Sequence, residues 1–272
     1  MVSSSRHVGV ATHTATAAGA ITVEEYGYGL GPPTGILVLR YPPQAAIPDF
    51  PADRDDFVHQ VFWSPDGVLS AHRGNASRFL SSSEMLWVRR GAVAEVRGLG
   101  RQTVVRVCLR QAHPALGALE AGVLTPDPEV GRRLLAIARP GVGEDDGLRA
   151  RHDIVEALAR CTPARVEHVD HGATPARAVT QALLRDPADA TSLAAWAAAL
   201  HVSEKTLQRH FEREHGTTFT AWRTTTRMRA AAAMLHHLSV TETAHRVGYT
   251  SVSAFTAAFT REFGTSPGRY VA

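Results

Sequence analysis

Part of this 272-residue chain is present twice, and that duplication constrains the fold more than any other feature. SEKTLQRHFEREHGTTFTAW (203–222) aligns without a gap on SVSAFTAAFTREFGTSPGRY (251–270). Ser203 falls on Ser251, Phe211 on Phe259, Arg213-Glu214 on Arg261-Glu262, Gly216-Thr217 on Gly264-Thr265 and Trp222 on Tyr270. Upstream, Leu193 pairs with Val240 and Ala197 with Ala244 at an offset one residue smaller, so the second copy has the longer turn. Self-similarity at a fixed period marks a repeated supersecondary unit.

Each copy carries the same local instructions. A short helix (192–199, 240–246) bears a small residue where a second helix must approach. A serine then stands where an N-cap belongs. Leu207 and Phe211, or Phe255, Phe259 and Phe263, recur four apart as one apolar stripe, and Gly216 or Gly264 can end the helix in a left-handed conformation. This is a helix-turn-helix, twice. The two are joined by an Arg-rich helix near 220–236 with Arg223, Arg227 and Arg229 on one side and Ala230, Ala233, Met234 and Leu235 on the other.

Away from the apolar stripe, the first copy offers Lys205, Gln208 and Arg209, and the second offers Ser253, Thr256 and Ala257. Arg and Lys can reach guanine O6 and N7, and Gln can pair with adenine. Hydroxyl and methyl groups give single contacts, including one to the thymine methyl. Ser203, Arg213, Arg223, Arg227, Ser251 and Arg261 are the candidate phosphate contacts. Polar helix faces are ordinarily just solvated, but two in tandem at a fixed separation suit successive turns of a duplex about 34 Å apart.

Earlier in the chain the texture differs. GILVLRY (35–41), FVHQVFW (57–63), GVLSAH (67–72), SRFL (77–80), MLWVRR (85–90), VAEVRG (93–98) and TVVRVCLR (103–110) read as short strands between Gly, Pro, Asn and Asp turns. That spacing predicts an antiparallel sandwich or small barrel. Helical periodicity follows over 129–138 and 147–160. Residues 1–20 are expected to be a disordered tail, since Thr and His interrupt any leader-like apolar region. The expected division is a strand domain over 21–113, a helical connector with a dimerisation role over 114–185, and a helical domain over 186–272, with the boundary near 163–187.

The last 85 residues resemble the DNA-binding domain of the AraC/XylS family of transcription regulators. AHRVGYTSVSAFTAAFTREFGTSPGRY carries the likeness through Ala244, Gly248-Tyr249, Phe255, Phe259, Phe263-Gly264 and Pro267. The resemblance implies two recognition helices in adjacent major-groove segments on one face of double-stranded DNA, with Lys205, Thr206, Gln208, Arg209, Ser253, Thr256 and Ala257 at base-facing positions. Ala257 departs from the longer polar residue common there. HQVFWSPDGVLS (59–70) and SSSEMLWVRRGAVAEVRG (81–98) resemble, more loosely, the cupin-like sensor domain of one branch of that family. The fold expected is therefore α+β, an N-terminal antiparallel cupin-like β-barrel followed by two helix-turn-helix units on a long helix.

A small-molecule effector is expected in the barrel, with His59, Gln60, Trp63 and Trp87 as candidate lining. Self-association as a homodimer and, for an activator, contact with RNA polymerase are the further partners implied. No metal or cofactor is expected. Ala94 stands where a cupin histidine would precede Glu95, and no His-x-His precedes His59; His72 and Glu84 would serve only if their strands aim them inward. The rival reading is a metal-dependent cupin enzyme, or a ligand-binding protein whose helices mediate protein contacts. No nucleophile elbow, P-loop, dinucleotide fingerprint or HExxH is present, so no enzymatic activity is expected.

Composition adds bounds. Net charge is only +3, and Lys205 is the one lysine among 29 basic residues, a skew that marks nucleotide composition rather than a partner. No apolar stretch approaches the roughly 20 residues that span a bilayer. Two cysteines, Cys108 and Cys161, read as thiols in a reducing compartment, so the expected location is cytoplasmic.

Overall fold

The computed structural model describes residues 21–74, 76–165 and 174–271; the tail expected over 1–20 lies outside them. Strands β1 (Glu24–Tyr28), β2 (Ile36–Tyr41), β3 (Asp49–Phe50), β4 (His59–Trp63), β5 (Leu69–Arg73), β6 (Ala76–Leu80), β7 (Met85–Val88), β8 (Glu95–Gly98) and β9 (Val104–Leu109) come first. Then follow α1 (Pro114–Gly117), β10 (Ala121–Leu124), α2 (Pro128–Ile137), α3 (Glu144–Ala159) and β11 (Ala164–Arg165). The rest is helical: α4 (Pro175–Arg185), α5 (Leu193–Ala199), α6 (Glu204–His215), α7 (Phe219–Met234), α8 (Val240–Arg246), α9 (Val252–Phe263) and α10 (Pro267–Tyr270).

The strands form a seven-stranded sheet in the order β1-β2-β9-β4-β7-β10-β11 and a four-stranded sheet in the order β3-β8-β5-β6. The expected closed barrel is not formed. Closure requires tilt and stagger that bring the two edge strands into hydrogen bonding, whereas β1 and β11 remain the edges of one sheet and β3 and β6 of the other. The N-terminal region is an antiparallel sheet structure followed by helices.

Strand alternation decides which residues meet. Register places Val61 opposite Val107 and Trp87, Trp63 opposite Val105, and Val38 opposite Val107. Successive side chains on a strand point to opposite faces, so His59, Val61 and Trp63 share a face with Trp87, while Gln60 and Phe62 share the other with Arg106 and Cys108. The first face is covered by α2 and α3. Val130, Leu134 and Ile137 of α2 join Ile154, Val155 and Leu158 of α3 in one buried cluster with Tyr28, Val61, Trp63 and Trp87. Fully burying each such side chain stabilises by about 1.5–3 kcal/mol.

Glycines allow the helices to lie this close. A Cβ at Gly147 would overlap the Tyr28 ring, and one at Gly131 would sit 2.8 Å from the Trp63 indole. The Tyr28 hydroxyl then donates to the Ile137 carbonyl at 2.6 Å, satisfying both polar atoms in the core. Asp127 starts α2 by accepting from the Glu129 amide at 2.8 Å, and Glu144, Asp145 and Asp146 place negative charge in the first turn of α3, favourable at the positive end of a helix dipole.

Two compact units divide the described residues. The first takes those up to Ala71 and from Ser82 to β11; the second takes His72–Ser81 and everything from α4 onward. In the second, α4 lies within the stretch expected to be connector, yet its Val179 and Leu183 enter the core of the first helix-turn-helix with Ala197, Leu207, Phe211 and Phe219.

Candidate nucleic-acid interface

Each candidate reading helix is started and stopped by its own residues. Ser203 Oγ accepts from the Thr206 amide at 3.1 Å at the head of α6, and Ser251 Oγ accepts from Ala254 at 3.4 Å at the head of α9. Gly216 (φ 66°) and Gly264 (φ 71°) end these helices in the left-handed region. The leading helix α8 begins with a reciprocal cap, Ser239 Oγ accepting from the Glu242 amide and the Glu242 carboxylate from the Ser239 amide. The turns between paired helices share one left-handed residue, His201 (φ 54°) in the first and Gly248 (φ 82°) in the second. A non-glycine residue there carries a strain of about 1–2 kcal/mol.

Packing sets which face remains outward. Leu207, Phe211, Phe255 and Phe259 are completely buried. Opposite them on α6, Lys205 and Arg209 are exposed and Thr206 and Gln208 half-buried. Residues three and four apart lie on one side of a helix, so these four form one polar surface. Gln208 Nε2 donates to Glu212 Oε1 at 2.8 Å, and its Oε1 receives the Phe219 amide at 3.5 Å. Thr206 Oγ1 lies 2.8 Å from Ser203 Oγ. On α9 the matching surface has Ser253 and Ala257 exposed and Thr256 half-buried. It carries no positive charge before Arg261.

The six candidate phosphate contacts separate into two groups. Ser203, Arg213, Ser251 and Arg261 are exposed, with Arg213 Nη2 within 3.3 Å of Glu214 Oε1. Arg223 and Arg227 are turned to internal work. Arg223 Nη1 donates to the Thr191 carbonyl at 3.1 Å, and its guanidinium lies 4.8 Å from the Phe219 ring centre. Arg227 gives its donors to the carbonyls of residues 187–189. An exposed, flexible arginine cannot be told from a clasp by composition; only the position of the 187–191 loop shows it.

His215, at the end of α6, shares a hydrogen bond with Thr180 Oγ1 at 2.9 Å and packs on the Phe211 and Trp222 rings. Burial lowers its pKa below the ordinary 6.5, against a smaller opposing pull from Glu214. The unfolded chain therefore takes up this proton first as pH falls. Stability from a neutral His215 is present above about pH 6.5 and lost as pH drops towards the depressed folded value. In thermal melts from pH 7.5 to 5, the advantage of the wild type over His215→Gln is expected to shrink below pH 6.5. A constant difference would show that the ring takes up its proton equally in both states.

The four candidate effector residues do not line one cavity. Trp87 is fully buried, its Nε1 donating to the Leu119 carbonyl at 3.0 Å. His59 stacks on it at 5.2 Å, and His59 Nδ1 accepts from the Arg90 amide at 3.3 Å. Trp63 borders a cavity of about 330 Å³ with Met85, Pro128, Gly131 and Leu135. Gln60, on the opposite face of the sheet, borders another of about 270 Å³ with Phe50, Phe57, Phe62, Asp55 and Arg106. The Arg106 guanidinium lies 5.7 Å from both the Phe50 and Phe62 rings and 3.8 Å from Asp55 Oδ2. Neither Phe50 nor Arg106 stands out in a sequence search for paired histidines. Their signal is strand register, which puts Arg106 across from Phe62.

Among the described residues no three His, Cys, Asp or Glu side chains are grouped to hold a metal ion. No described helix is long and apolar enough to cross a membrane.

A tandem pair of capped helix-turn-helix units defines the class of the C-terminal region, and comparison with known proteins agrees. Residues 196–272 match the helix-turn-helix domain family. Over 96 residues the chain is 42% identical to the HTH-type transcriptional regulator RipA of Corynebacterium glutamicum, covering 35% of this chain and 29% of that protein. It is 31% identical over 97 residues to the HTH-type transcriptional regulator NimR of Escherichia coli, covering 35% and 36%. A solved C-terminal domain of AraT, a response regulator of Geobacillus stearothermophilus, is 30% identical over 38% of this chain and 87% of that domain, with a TM-score of 0.36. The chain thus matches about a third of the length of these curated relatives.

Proposed function

We propose that this protein is a sequence-specific, non-enzymatic regulator of transcription of the AraC/XylS type that binds double-stranded DNA through α6 and α9. The observation that carries the reading is the exposed Lys205–Arg209 surface of α6, opposite a fully buried Leu207–Phe211 stripe and repeated in geometry by α9. The likeness of residues 196–272 to helix-turn-helix regulators supports it.

In this reading Lys205, Thr206, Gln208 and Arg209 face base edges, with Gln208 exchanging Glu212 for a base. Ser253, Thr256 and Ala257 supply hydroxyl and methyl contacts, suited to thymine. Ser203, Arg213, Ser251 and Arg261 meet phosphates, while Arg223 and Arg227 support the fold behind them. A small-molecule effector would act through the sheet region. The cavity beside Gln60 and Arg106 offers the aromatic walls of Phe50, Phe57 and Phe62 with two guanidiniums, Arg54 and Arg106, and the carboxylates of Asp53 and Asp55, apolar surface joined to polar groups that could orient a ligand. A homodimer, an RNA polymerase contact in an activator, and a cytoplasmic location complete the reading.

The test is fluorescence anisotropy on duplexes selected from a random library. The wild type is expected to prefer the selected duplex over a scrambled one, with affinity falling steeply as salt rises. Arg209→Ala should cost about 1–3 kcal/mol and relax preference at one base pair. Unchanged affinity and preference in that variant would remove α6 from the reading role.

A further inference from the structure

We infer that Arg227 is a positioning residue that holds the two helix-turn-helix modules in one fixed phase. This rests on the proposal that both modules read DNA. Arg227 projects from the middle of α7, the helix between the modules. Its Nε donates to the Pro187 carbonyl at 2.8 Å, and its Nη2 to Asp189 at 2.9 Å and Ala188 at 3.3 Å. These carbonyls belong to the bend between α4 and α5, which leads into the first module.

The same guanidinium lies 6.0 Å from the centre of the Tyr249 ring, in the turn of the second module. Next to it, Gly248 adopts φ +82° against the same bend. A Cβ there would lie 2.9 Å from the Ala188 oxygen and 3.0 Å from both Ala188 Cα and Arg227 Nη2. The turn between α8 and α9 therefore touches the backbone that introduces α5. The modules are joined by the α7 helix and also by this second junction. Two joints fix an angle where one leaves a hinge.

A planar fork with several donors is what the junction requires, since three carbonyls on one bend are reached together. Lysine offers a compact point charge without the fork. Arg223, one turn earlier, adds the Thr191 carbonyl to the same clasp.

The consequence appears on DNA as a spacing requirement. Two linked sites gain from each other only while geometry permits both to engage. Inserting one base pair between half-sites turns the second by about 34° around the duplex, given roughly 10.5 base pairs per turn. With the junction intact, a wrong phase should lose the second module.

The experiment uses the full-length protein and a duplex selected with the wild type. Affinities are measured on that duplex, on versions with one base pair added or removed between half-sites, and on the first half-site alone. The wild type should show one sharp optimum. Arg227→Lys should lose about tenfold on the optimal duplex, where avidity is geometric, flatten the spacing profile and bind the isolated half-site as the wild type does. Gly248→Ala, which forces the same junction from its other side, should give the same flattening. It decides the matter if Arg227→Lys fails to fold by circular dichroism. A sharp profile in both variants, or equal losses on full and half sites, would overturn the positioning role alone. A flat profile in the wild type would overturn it as well. Failure of the wild type to select any duplex would instead sink the DNA-reading proposal beneath it.

Discussion

Phe211→Ala is expected to destabilise the helical unit by about 3–5 kcal/mol, the usual cost of emptying a buried phenylalanine site. Phe211 is fully buried. Its ring meets Phe219 edge-on at 5.4 Å, Trp222 at 5.9 Å and His215 at 5.3 Å. Leu207 from its own helix and Val179 and Leu183 from α4 complete the cluster. Rings held on three sides by other rings cannot collapse inward to fill a void, so the loss should lie near the top of the range. Against a total stability of about 5–15 kcal/mol, a loss of about 5 kcal/mol removes a third or more of the folding free energy. Urea unfolding followed by circular dichroism measures it: the midpoint should fall with an unchanged slope. Phe211→Leu, which keeps much of the volume, should lose far less. A loss below about 1 kcal/mol in the alanine variant, the range of surface changes, would show that α4 and α7 do not close over this ring.

Trp87→Ala is the matching expectation for the sheet region, again about 3–5 kcal/mol. Here the loss has three parts. The indole is fully buried, its Nε1 satisfies the Leu119 carbonyl at 3.0 Å, and its ring face supports His59 at 5.2 Å. The removed donor would leave the Leu119 carbonyl buried without its partner, which itself costs about 1–3 kcal/mol. Trp87→Phe should recover much of the packing and none of the hydrogen bond. The midpoint of thermal unfolding is the readout. An alanine variant of unchanged stability would return Trp87 to the wall of a ligand site, since such walls are lined by side chains that water or ligand can replace.

How far the sequence revealed this molecule depended on how local each instruction was. The helices of the repeat were legible because their caps, apolar stripes and terminal glycines all lie within a dozen residues; α8 occupies Val240–Arg246, the span read from the sequence. α7 and the pair α2 and α3 follow their helical periodicity in the same way. β1 was not legible: EEYGY has no apolar alternation, and it becomes a strand by pairing along its whole length with residues 36–40 of β2. β10 is four residues with a glycine, held between β7 and β11. Whether the sheets close into a barrel depends on pairings between distant edges, about which no short segment carries information.

The candidate sites followed the same division. The outward positions of α6 and α9 can be counted from the stripe they oppose. Arg227 and Arg223 could not be separated from surface arginines, because their partners are main-chain carbonyls 32 to 40 residues away. The effector set is divided between two faces for a simpler reason. His59 and Gln60 are neighbours on a strand, so they point to opposite faces, and a lining that uses both contradicts the alternation that identified the strand.

The unequal outer surfaces of α6 and α9 give the protein a direction. One end presents Lys205 and Arg209, the other serine, threonine and alanine at the matching places. Laid along a duplex in the proposed reading, a single chain therefore has a head and a tail, and turning the DNA end for end would set each helix against the half-site that suits the other. Such a reader has no need of an inverted-repeat target. Under the proposed function, the order of two half-sites would act as an arrow, setting the direction in which the protein lies on its target.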